Sequence, residues 1–325
     1  MKGEFNMIKE IDYINTIAKI RFRETKMLSK NDIESLVLAK NIDECIKLLY
    51  DKGFGTTDQR ECNIDKTISK IIREETEKLY DFIRSLCPKP FELKFLLYEN
   101  DFHNIKAQLK SIYYDSKIDN IFLPEGNISI EDIKEASIKM NFSNFPEFCR
   151  EVVVKSNEVL KQTRDGQLFD IMIDRGCYEA IKNDILSIGN KFLIDLYNLI
   201  FALSNVQVAI RGSKLKKSQE FYDKVLMDND LICKEELINN SIPGEKSLME
   251  YLVKIGFGNV IEKASLEKAI QDEIFKFIEQ FKYKSTGLEP VVSYLFNKKK
   301  EIKIIRIILN LKRNLFSPEE IRDKI

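Results

Sequence analysis

The chain has 325 residues, of which 52 are Lys or Arg and 52 are Asp or Glu, so its formal net charge is zero. This balance excludes a polycation built to neutralise nucleic-acid phosphates, and 44% apolar residues exclude intrinsic disorder. Only 12 Gly and 7 Pro are present, which favours long elements, and the abundant Lys, Glu, Ile and Leu favour helices. At about 150 residues per domain, we expect roughly two domains, or three small ones.

Apolar residues that recur every three or four positions predict the main helices. In chain order, the predicted helices cover 68–86, 95–112, 178–210, 266–281 and 292–309. The alternating pattern of a strand is not evident, so the predicted fold class is all-α. The apolar stretch at 192–210 carries Asp195, Asn198 and Gln207, and we interpret it as a buried core helix rather than a membrane span.

The sequence offers little chemistry for catalysis or metal binding. His103 is the only histidine, and the six cysteines form no CxxC pair, so we expect reduced thiols and no metal. The phosphate-binding loop GxxxxGK[ST], the dinucleotide motif GxGxxG and the nucleophile elbow GxSxG are absent. We therefore predict a chain that is not an enzyme and needs no cofactor, with His103 either structural or solvent-exposed.

Two patterns recur along the chain. The first is a helix start in which a capping residue is followed three positions later by an acid, close to a capping box. Its copies are Ser29 with Asp32, Ser129 with Asp132, Cys233 with Glu236, and Ser317 with Glu320. The second is an acid and an Asn three residues apart on the preceding helix. Its copies are Asp12 with Asn15, Asp101 with Asn104, and Asp195 with Asn198, while Glu301 with Ile304 is a weaker copy.

Asp195 shares the helical spacing of Phe192 and Leu199, so the pattern predicts a buried carboxylate that needs hydrogen-bond partners. Because the acid and Asn pairs recur, we favour a structural role over a catalytic one. A closing phrase at 49–55 recurs at 252–258, and more weakly at 139–143.

These repeats predict three pseudo-symmetric helical units that cover one another's apolar faces. The expected domains are 1–65 with 285–325, then 66–165, then 166–284. The truncated last copy at 291–325 would close against 12–31. Three units closed in this way would share an axis, around which a central cavity could lie.

Two basic clusters stand out, one at 298–300 and one further upstream. The upstream cluster consists of Arg211, Lys214, Lys216 and Lys217. The simpler interpretation of both is a solvated helix end or loop. The alternative is a docking surface for an acidic protein or for lipid headgroups.

Several motifs together resemble a known family. They are the opening Tyr13, Ala18-Lys19-Ile20-Arg21, Glu24 and Leu28-Ser29, the Asp-x-x-Asn helices at 101–105 and 195–199, and the ending with Glu301-Ile302, Ile305-Arg306 and Ser317-Pro318-Glu319-Glu320-Ile321-Arg322. In this order they resemble the C subunits of the archaeal and bacterial V-type (A-type) ATPases, the counterparts of the eukaryotic d subunit. Lys19 stands where the family usually has Arg, and Cys233 replaces a capping Ser.

The resemblance implies a non-catalytic central-stalk or rotor component. Such a component is a funnel on the cytoplasmic face of the cell membrane, present once per complex and attached without a membrane span of its own. It receives the D and F proteins of the shaft, sits on the membrane rotor ring of proteolipid subunits, and transmits torque for ATP-coupled proton or sodium transport. Nucleic acid is not an implied partner.

Two other functions stay open from the residues alone. A helical-repeat scaffold or adaptor could bind protein or nucleic acid through its basic clusters, and its affinity for nucleic acid would fall steeply with salt. An all-α enzyme could use Asp101, Asp195 and neighbouring acids with a magnesium ion, and it would need those acids to converge on one pocket.

Overall fold

A computed structural model describes residues 14–55, 63–86, 90–115, 121–261 and 265–325, and the structural statements below concern these ranges. Within them the chain forms sixteen α-helices and one 3-10 segment, with no strand. The predicted all-α class is therefore confirmed. Asp12 falls outside the described residues, and Asn15 lies in the first helix.

The helices follow one another with short connections. The first four are α1 (Ile14–Glu24), α2 (Lys30–Leu38), α3 (Ile42–Asp51) and α4 (Ile64–Leu86), followed by the 3-10 segment Pro90–Leu97. The next six are α5 (Tyr98–Tyr114), α6 (Ile130–Lys139), α7 (Glu147–Thr163), α8 (Gly166–Ile188), α9 (Lys191–Lys214) and α10 (Gln219–Val225). The last six are α11 (Lys234–Ser241), α12 (Glu245–Lys254), α13 (Gly258–Ile261), α14 (Leu266–Glu279), α15 (Glu289–Arg313) and α16 (Pro318–Lys324).

The chain divides into two compact units. Unit 1 comprises the residues up to Pro90 together with Phe281–Ile325, and unit 2 comprises Phe91–Gln280. Helix α4, which the sequence repeats assign to a second domain, belongs to unit 1. The three-domain division, the funnel and its central cavity remain predictions.

Unit 1 is built around the long helix α15, against which α1, α3, α4 and α16 pack. Its inward positions, including Val291, Leu295 and Ile305, are almost completely buried. The C-terminal helix α16 also packs on α2, where the Arg322 guanidinium forms an ion pair with Glu34 at 2.5 Å. The end of the chain thus closes against its beginning.

Unit 2 has two long helices at its centre. Helix α5 packs against α6, α7 and α8, while α9 packs against α8, α10, α11, α12 and α14. Among the described helices, α9 is the one long and apolar enough to cross a membrane, yet 56% of that apolar stretch is buried inside unit 2. Leu196, Leu203 and Val206 are fully enclosed, which is the burial expected of a core helix.

The prediction of one continuous helix over 178–210 is wrong. Helix α8 ends at Ile188, and Gly189 after it adopts a left-handed backbone with φ 66°. Asn190 then caps α9 by accepting the Leu193 N–H at 3.1 Å. In the sequence the apolar residues keep their spacing of three or four positions across the break, so periodicity alone does not reveal it. Gly followed by Asn was the available signal.

Four of the six cysteines lie in the described residues, and all four are free thiols. Cys45, Cys149 and Cys177 are buried, whereas Cys233 is exposed. Burial raises the pKa of the Cys45 thiol to about 11 and that of Cys149 to about 12. The buried thiols therefore stay protonated at neutral pH and behave as small apolar side chains.

Candidate functional site

Three short helices, α2, α6 and α11, begin at the predicted N-cap residues, and in two of them the cap side chain bonds to the helix. Ser29 caps α2, and its hydroxyl accepts the Asp32 N–H at 3.2 Å while the Asp32 carboxylate accepts the Ser29 N–H at 2.9 Å. Ser129 caps α6 by accepting the Asp132 N–H at 3.0 Å. Cys233 occupies the N-cap of α11 without a side-chain bond to the helix. The fourth predicted start is also present, since Ser317 and Glu320 form a capping box on α16.

A polar side chain also anchors the chain just before each of these three caps. Glu301 Oε1 accepts the N–H of Leu28 at 2.5 Å. Asp101 Oδ1 accepts the N–H of Ile128 at 3.0 Å, and Asn229 Oδ1 accepts the N–H of Ile232 at 3.3 Å. We call each set of short helix, N-cap residue and anchoring side chain a cap module. Sequence reasoning identified Glu301 and Asp101, but missed Asn229.

The second module shows how strongly the anchor is buried. Asp101 is fully enclosed, and its two oxygens also accept the Asn127 backbone N–H and the Asn127 side-chain amide, both at 2.7 Å. Burial raises the pKa of Asp101 to about 6, although the hydrogen bonds from Asn127 and Ile128 oppose the rise. Gly126 lies so close that a Cβ there would meet Asp101 Oδ1 at 2.5 Å. The carboxylate therefore serves as a fixed acceptor for the backbone.

Three more side chains of α5 hold the segment 121–128 that leads into this cap. Asn104, 1% exposed, donates to the Leu123 carbonyl at 2.9 Å and accepts the Leu123 N–H at 2.8 Å. The His103 ring lies 3.1 Å from the Ile121 carbonyl, and Asn100 donates to a carbonyl further along the segment. His103 and Asn104 thus hold the backbone of the segment 121–128 in place.

In the third module, the asparagine that corresponds to Asn104 is Asn205 and not the predicted Asn198. The predicted alignment of this repeat is therefore wrong. Asn205, 1% exposed, donates to the Met227 carbonyl at 2.7 Å and accepts the Met227 N–H at 3.1 Å. Asp195 is exposed, contrary to the prediction, and Asn198 is half-buried and donates to Asp230 at 3.1 Å. Asn205 lies seven residues after Asn198, about two helical turns, so periodicity could not separate the two registers.

The closing phrases at 49–55 and 252–258 end their helices with the same hydrogen bond, whereas the phrase at 139–143 lies at a different place in its module. The Phe54 N–H bonds to the Leu49 carbonyl at 2.9 Å and the Phe257 N–H bonds to the Leu252 carbonyl at 2.8 Å, and these turns end α3 and α12. The phrase at 139–143 instead ends α6, the first short helix after its cap. Its alignment with the other two is therefore wrong.

The first module contains a buried ion cluster. The Lys298 ammonium lies 2.5 Å from Glu301 and 3.6 Å from Glu75, and it stands 4.4 Å from the centre of the Phe54 ring. All three charged side chains are at most 12% exposed. The prediction that 298–300 forms a solvated or docking cluster is therefore wrong for Lys298, because its charge is used inside unit 1.

The other predicted positions lie at the surface. Arg211 forms an ion pair with Glu267 at 2.5 Å, Lys214 and Lys216 are exposed, and Lys217 stands over the Phe221 ring. Docking through this group stays a prediction. Two further predicted positions, Arg306 and Glu236, are also exposed.

Asp101 and Asp195, the two acids named for a magnesium-dependent enzyme, lie in different surroundings. Both oxygens of Asp101 are occupied by donors of its own module, and Asp195 lies on the exposed side of α9. Within the described ranges, no three His, Cys, Asp or Glu side chains are grouped as metal ligands. The arrangement is suited to holding short helices at fixed positions on long ones.

Replacing Cys233 with serine is expected to stabilise the chain by about 0.5–1 kcal/mol, because a hydroxyl at this N-cap can accept the Glu236 N–H as Ser129 does in α6. Urea unfolding followed by far-UV circular dichroism measures the change. The matched control is Ser129→Ala, which should lose a similar amount. Equal stability of Cys233→Ser and the wild type would contradict the prediction.

Comparison with known proteins identifies the family of this chain. Residues 16–324 match the family model of the ATP synthase (C/AC39) subunit. The C subunit of the V-type sodium ATPase of Enterococcus hirae is 22% identical, over 94% of this chain and 95% of the relative. The C subunits of the A-type ATP synthases of Methanocaldococcus jannaschii and Methanobrevibacter smithii are 22% and 19% identical; the matches span 95% and 94% of this chain and 84% and 85% of those relatives. The chain therefore belongs to the ATP synthase (C/AC39) subunit family.

Proposed function

We propose that this chain is the non-catalytic central-stalk component of a V-type or A-type ATPase. In this role it links the D–F shaft to the membrane rotor ring and transmits torque for proton or sodium transport. The observation that carries the proposal is the family match over residues 16–324, together with relatives named as C subunits that align over nearly the whole chain. It would be present once per complex, on the cytoplasmic side of the membrane.

The build of the chain supports a mechanical role. A torque-transmitting part must resist deformation. Here the anchoring side chains hold the starts of the short helices, directly from the long helices α15 and α5 in the first two modules and through a loop bonded to α9 in the third. In unit 1 two further contacts join the C-terminal part of the chain, 281–325, to its first described helices or the residues just after them. Lys312 donates to the Ala39 carbonyl at 2.7 Å, and Arg21 donates to the Lys282 carbonyl at 2.6 Å.

Co-purification from native membranes tests the proposal. The tagged chain, extracted in mild detergent, should recover an active ATPase containing D, F and the ring subunits, with one tagged chain per complex by mass spectrometry. An untagged strain is the control. Recovery of the chain alone, or with nucleic acid as the scaffold alternative requires, would contradict the proposal.

A second experiment tests whether the chain is needed to couple ATP hydrolysis to ion transport. In a strain that lacks the chain, detached heads should still hydrolyse ATP in the soluble fraction, but inverted membrane vesicles should lose ATP-driven ion uptake. Expression of the full chain should restore uptake. Unchanged ion uptake without the chain would exclude a coupling role.

A further inference from the structure

The C-terminal end of α9 combines an exposed apolar side chain with exposed cations. Arg211, Lys214 and Leu215 are spaced three and four residues apart, so they lie on one face of the helix. All three are exposed, and Leu215 is 70% exposed, whereas Gly212 and Ser213 between them are buried. The solvent-facing side of this helix end is therefore cationic and carries one apolar residue.

The turn after α9 holds Lys216 in a backbone conformation that favours glycine. Its φ is 50°, and the N–H groups of Lys216 and Lys217 bond back to the Ser213 and Gly212 carbonyls at 3.1 Å and 3.0 Å. Glycine is the usual residue at this position of such a helix end, because a side chain there strains the backbone. A lysine here costs stability, and an interaction of its charge would offset that cost. We call residues 214–217 the α9 tip.

The charged groups around the α9 tip leave it with an excess of positive charge. Glu267 of α14 neutralises Arg211, since their carboxylate and guanidinium lie 2.5 Å apart. Helix α10, which follows the tip, carries Glu220, Asp223 and Lys224, all exposed, and so adds one negative charge. The three lysines of the tip outweigh this charge.

We propose that the α9 tip binds the anionic headgroups of membrane lipids, a contact beyond the proposed links to the shaft and the ring. The lysines pair with headgroup phosphates, and Leu215 enters the boundary between headgroups and acyl chains. A lipid surface fits better than an acidic protein, because a specific protein interface buries about 800 Å² per partner, whereas the tip offers one exposed leucine and a fluid surface needs no matching shape. The inference rests on the proposed function for the place of the chain beside a membrane, where the other links strengthen a weak contact.

Co-sedimentation of the purified full-length chain with lipid vesicles tests the inference. Vesicles that contain phosphatidylglycerol should bind the chain, vesicles of phosphatidylcholine alone should not, and added salt should weaken the binding. Leu215→Ser is expected to weaken binding about tenfold, and Lys214→Gln about fivefold, the effect of one basic residue near an anionic surface. The double variant Val253→Ser with Lys254→Gln is the matched control. It removes an exposed apolar residue and an exposed lysine from the end of α12, and it should bind normally.

Lys216→Gly separates a binding role from a structural one. Glycine adopts the left-handed backbone without strain, so this variant should be at least as stable as the wild type in urea. It should nevertheless bind phosphatidylglycerol vesicles about fivefold more weakly, because one cation is lost. Weaker binding by an equally stable protein cannot come from misfolding.

The outcomes separate the inference from the proposed function. Equal vesicle binding by the wild type and the tip variants would overturn the inference, and so would a wild type that binds neither kind of vesicle. In both cases recovery of the chain with D, F and the ring would leave the proposed function standing. If the tip variants bind vesicles normally but bind D–F more weakly, the tip is a surface for an acidic protein and the inference is wrong.

Discussion

Replacement of Lys298 by methionine is expected to lower the free energy of unfolding by about 3–5 kcal/mol, the largest effect predicted for a single substitution in unit 1. The ammonium of Lys298 lies within 3.6 Å of both Glu75 and Glu301. Its removal takes away the ion pair of the buried Glu301 and leaves the nearby Glu75 with the half-exposed Lys78, whose ammonium lies 2.7 Å away. Glu301 also holds the Leu28 N–H, so repulsion between the acids would disturb the start of α2.

Urea unfolding followed by circular dichroism measures this loss, since the chain has no Trp for fluorescence. Lys303→Met, at an exposed position of the same helix, should change stability by less than about 0.5 kcal/mol. Adding Glu75→Gln and Glu301→Gln to Lys298→Met should recover part of the loss, because the buried charges are then removed together. A Lys298→Met variant as stable as the wild type would refute the role given to the cluster.

The second large effect is expected at Asp101. Asp101→Ala leaves the backbone N–H groups of Asn127 and Ile128 without an acceptor, while the Asn127 amide keeps the Lys94 carbonyl at 3.0 Å. Because each buried unsatisfied donor costs about 1–3 kcal/mol and removal of a buried charge offsets part of that, a net loss of about 2–3 kcal/mol is expected at pH 7. Asp101→Asn should lose much less, because an amide oxygen can accept the backbone bonds, as Asn229 does in the third module.

Hydrogen exchange provides the local measurement for this position. In Asp101→Ala, the amides of 127–139 should exchange faster than in the wild type, while those of unit 1 should be unchanged. Equal protection of 127–139 in both proteins would show that Asp101 does not anchor the module.

Asp101 also makes stability depend on pH. Burial raises its pKa to about 6 from 3.8, so the folded chain binds a proton more tightly than the unfolded chain does. Between pH 4 and 6 the folded state therefore holds more protons, and the free energy of unfolding falls as the pH rises, by about 3 kcal/mol in total. Unfolding at a series of pH values should show this fall in the wild type relative to Asp101→Asn. Parallel pH profiles for the two proteins would contradict it.

The features that sequence alone determined are local. Helical spacing of apolar residues predicted α4, α5, α14 and α15 to within a few residues. In a helix with one buried side, the apolar residues must recur about every 3.6 residues. The helix starts at Ser29, Ser129 and Ser317 were predictable because a cap and its acid lie three residues apart. The family resemblance also follows from the sequence, because it rests on short motifs and their order along the chain.

Only the tertiary structure decided which polar residues are buried and what they contact. Asp195 is exposed, whereas Ala202, seven residues later on the same helix, is fully buried. Spacing alone predicts the same side of the helix for both residues, so it could not show that the acid is exposed. Lys298 belongs to a basic run that is typical of a solvated surface, but α4 places Glu75 beside it. Asn229 anchors a cap from a loop, where no periodic pattern exists. Burial and pairing depend on neighbours distant in sequence, and a local pattern contains no information about them.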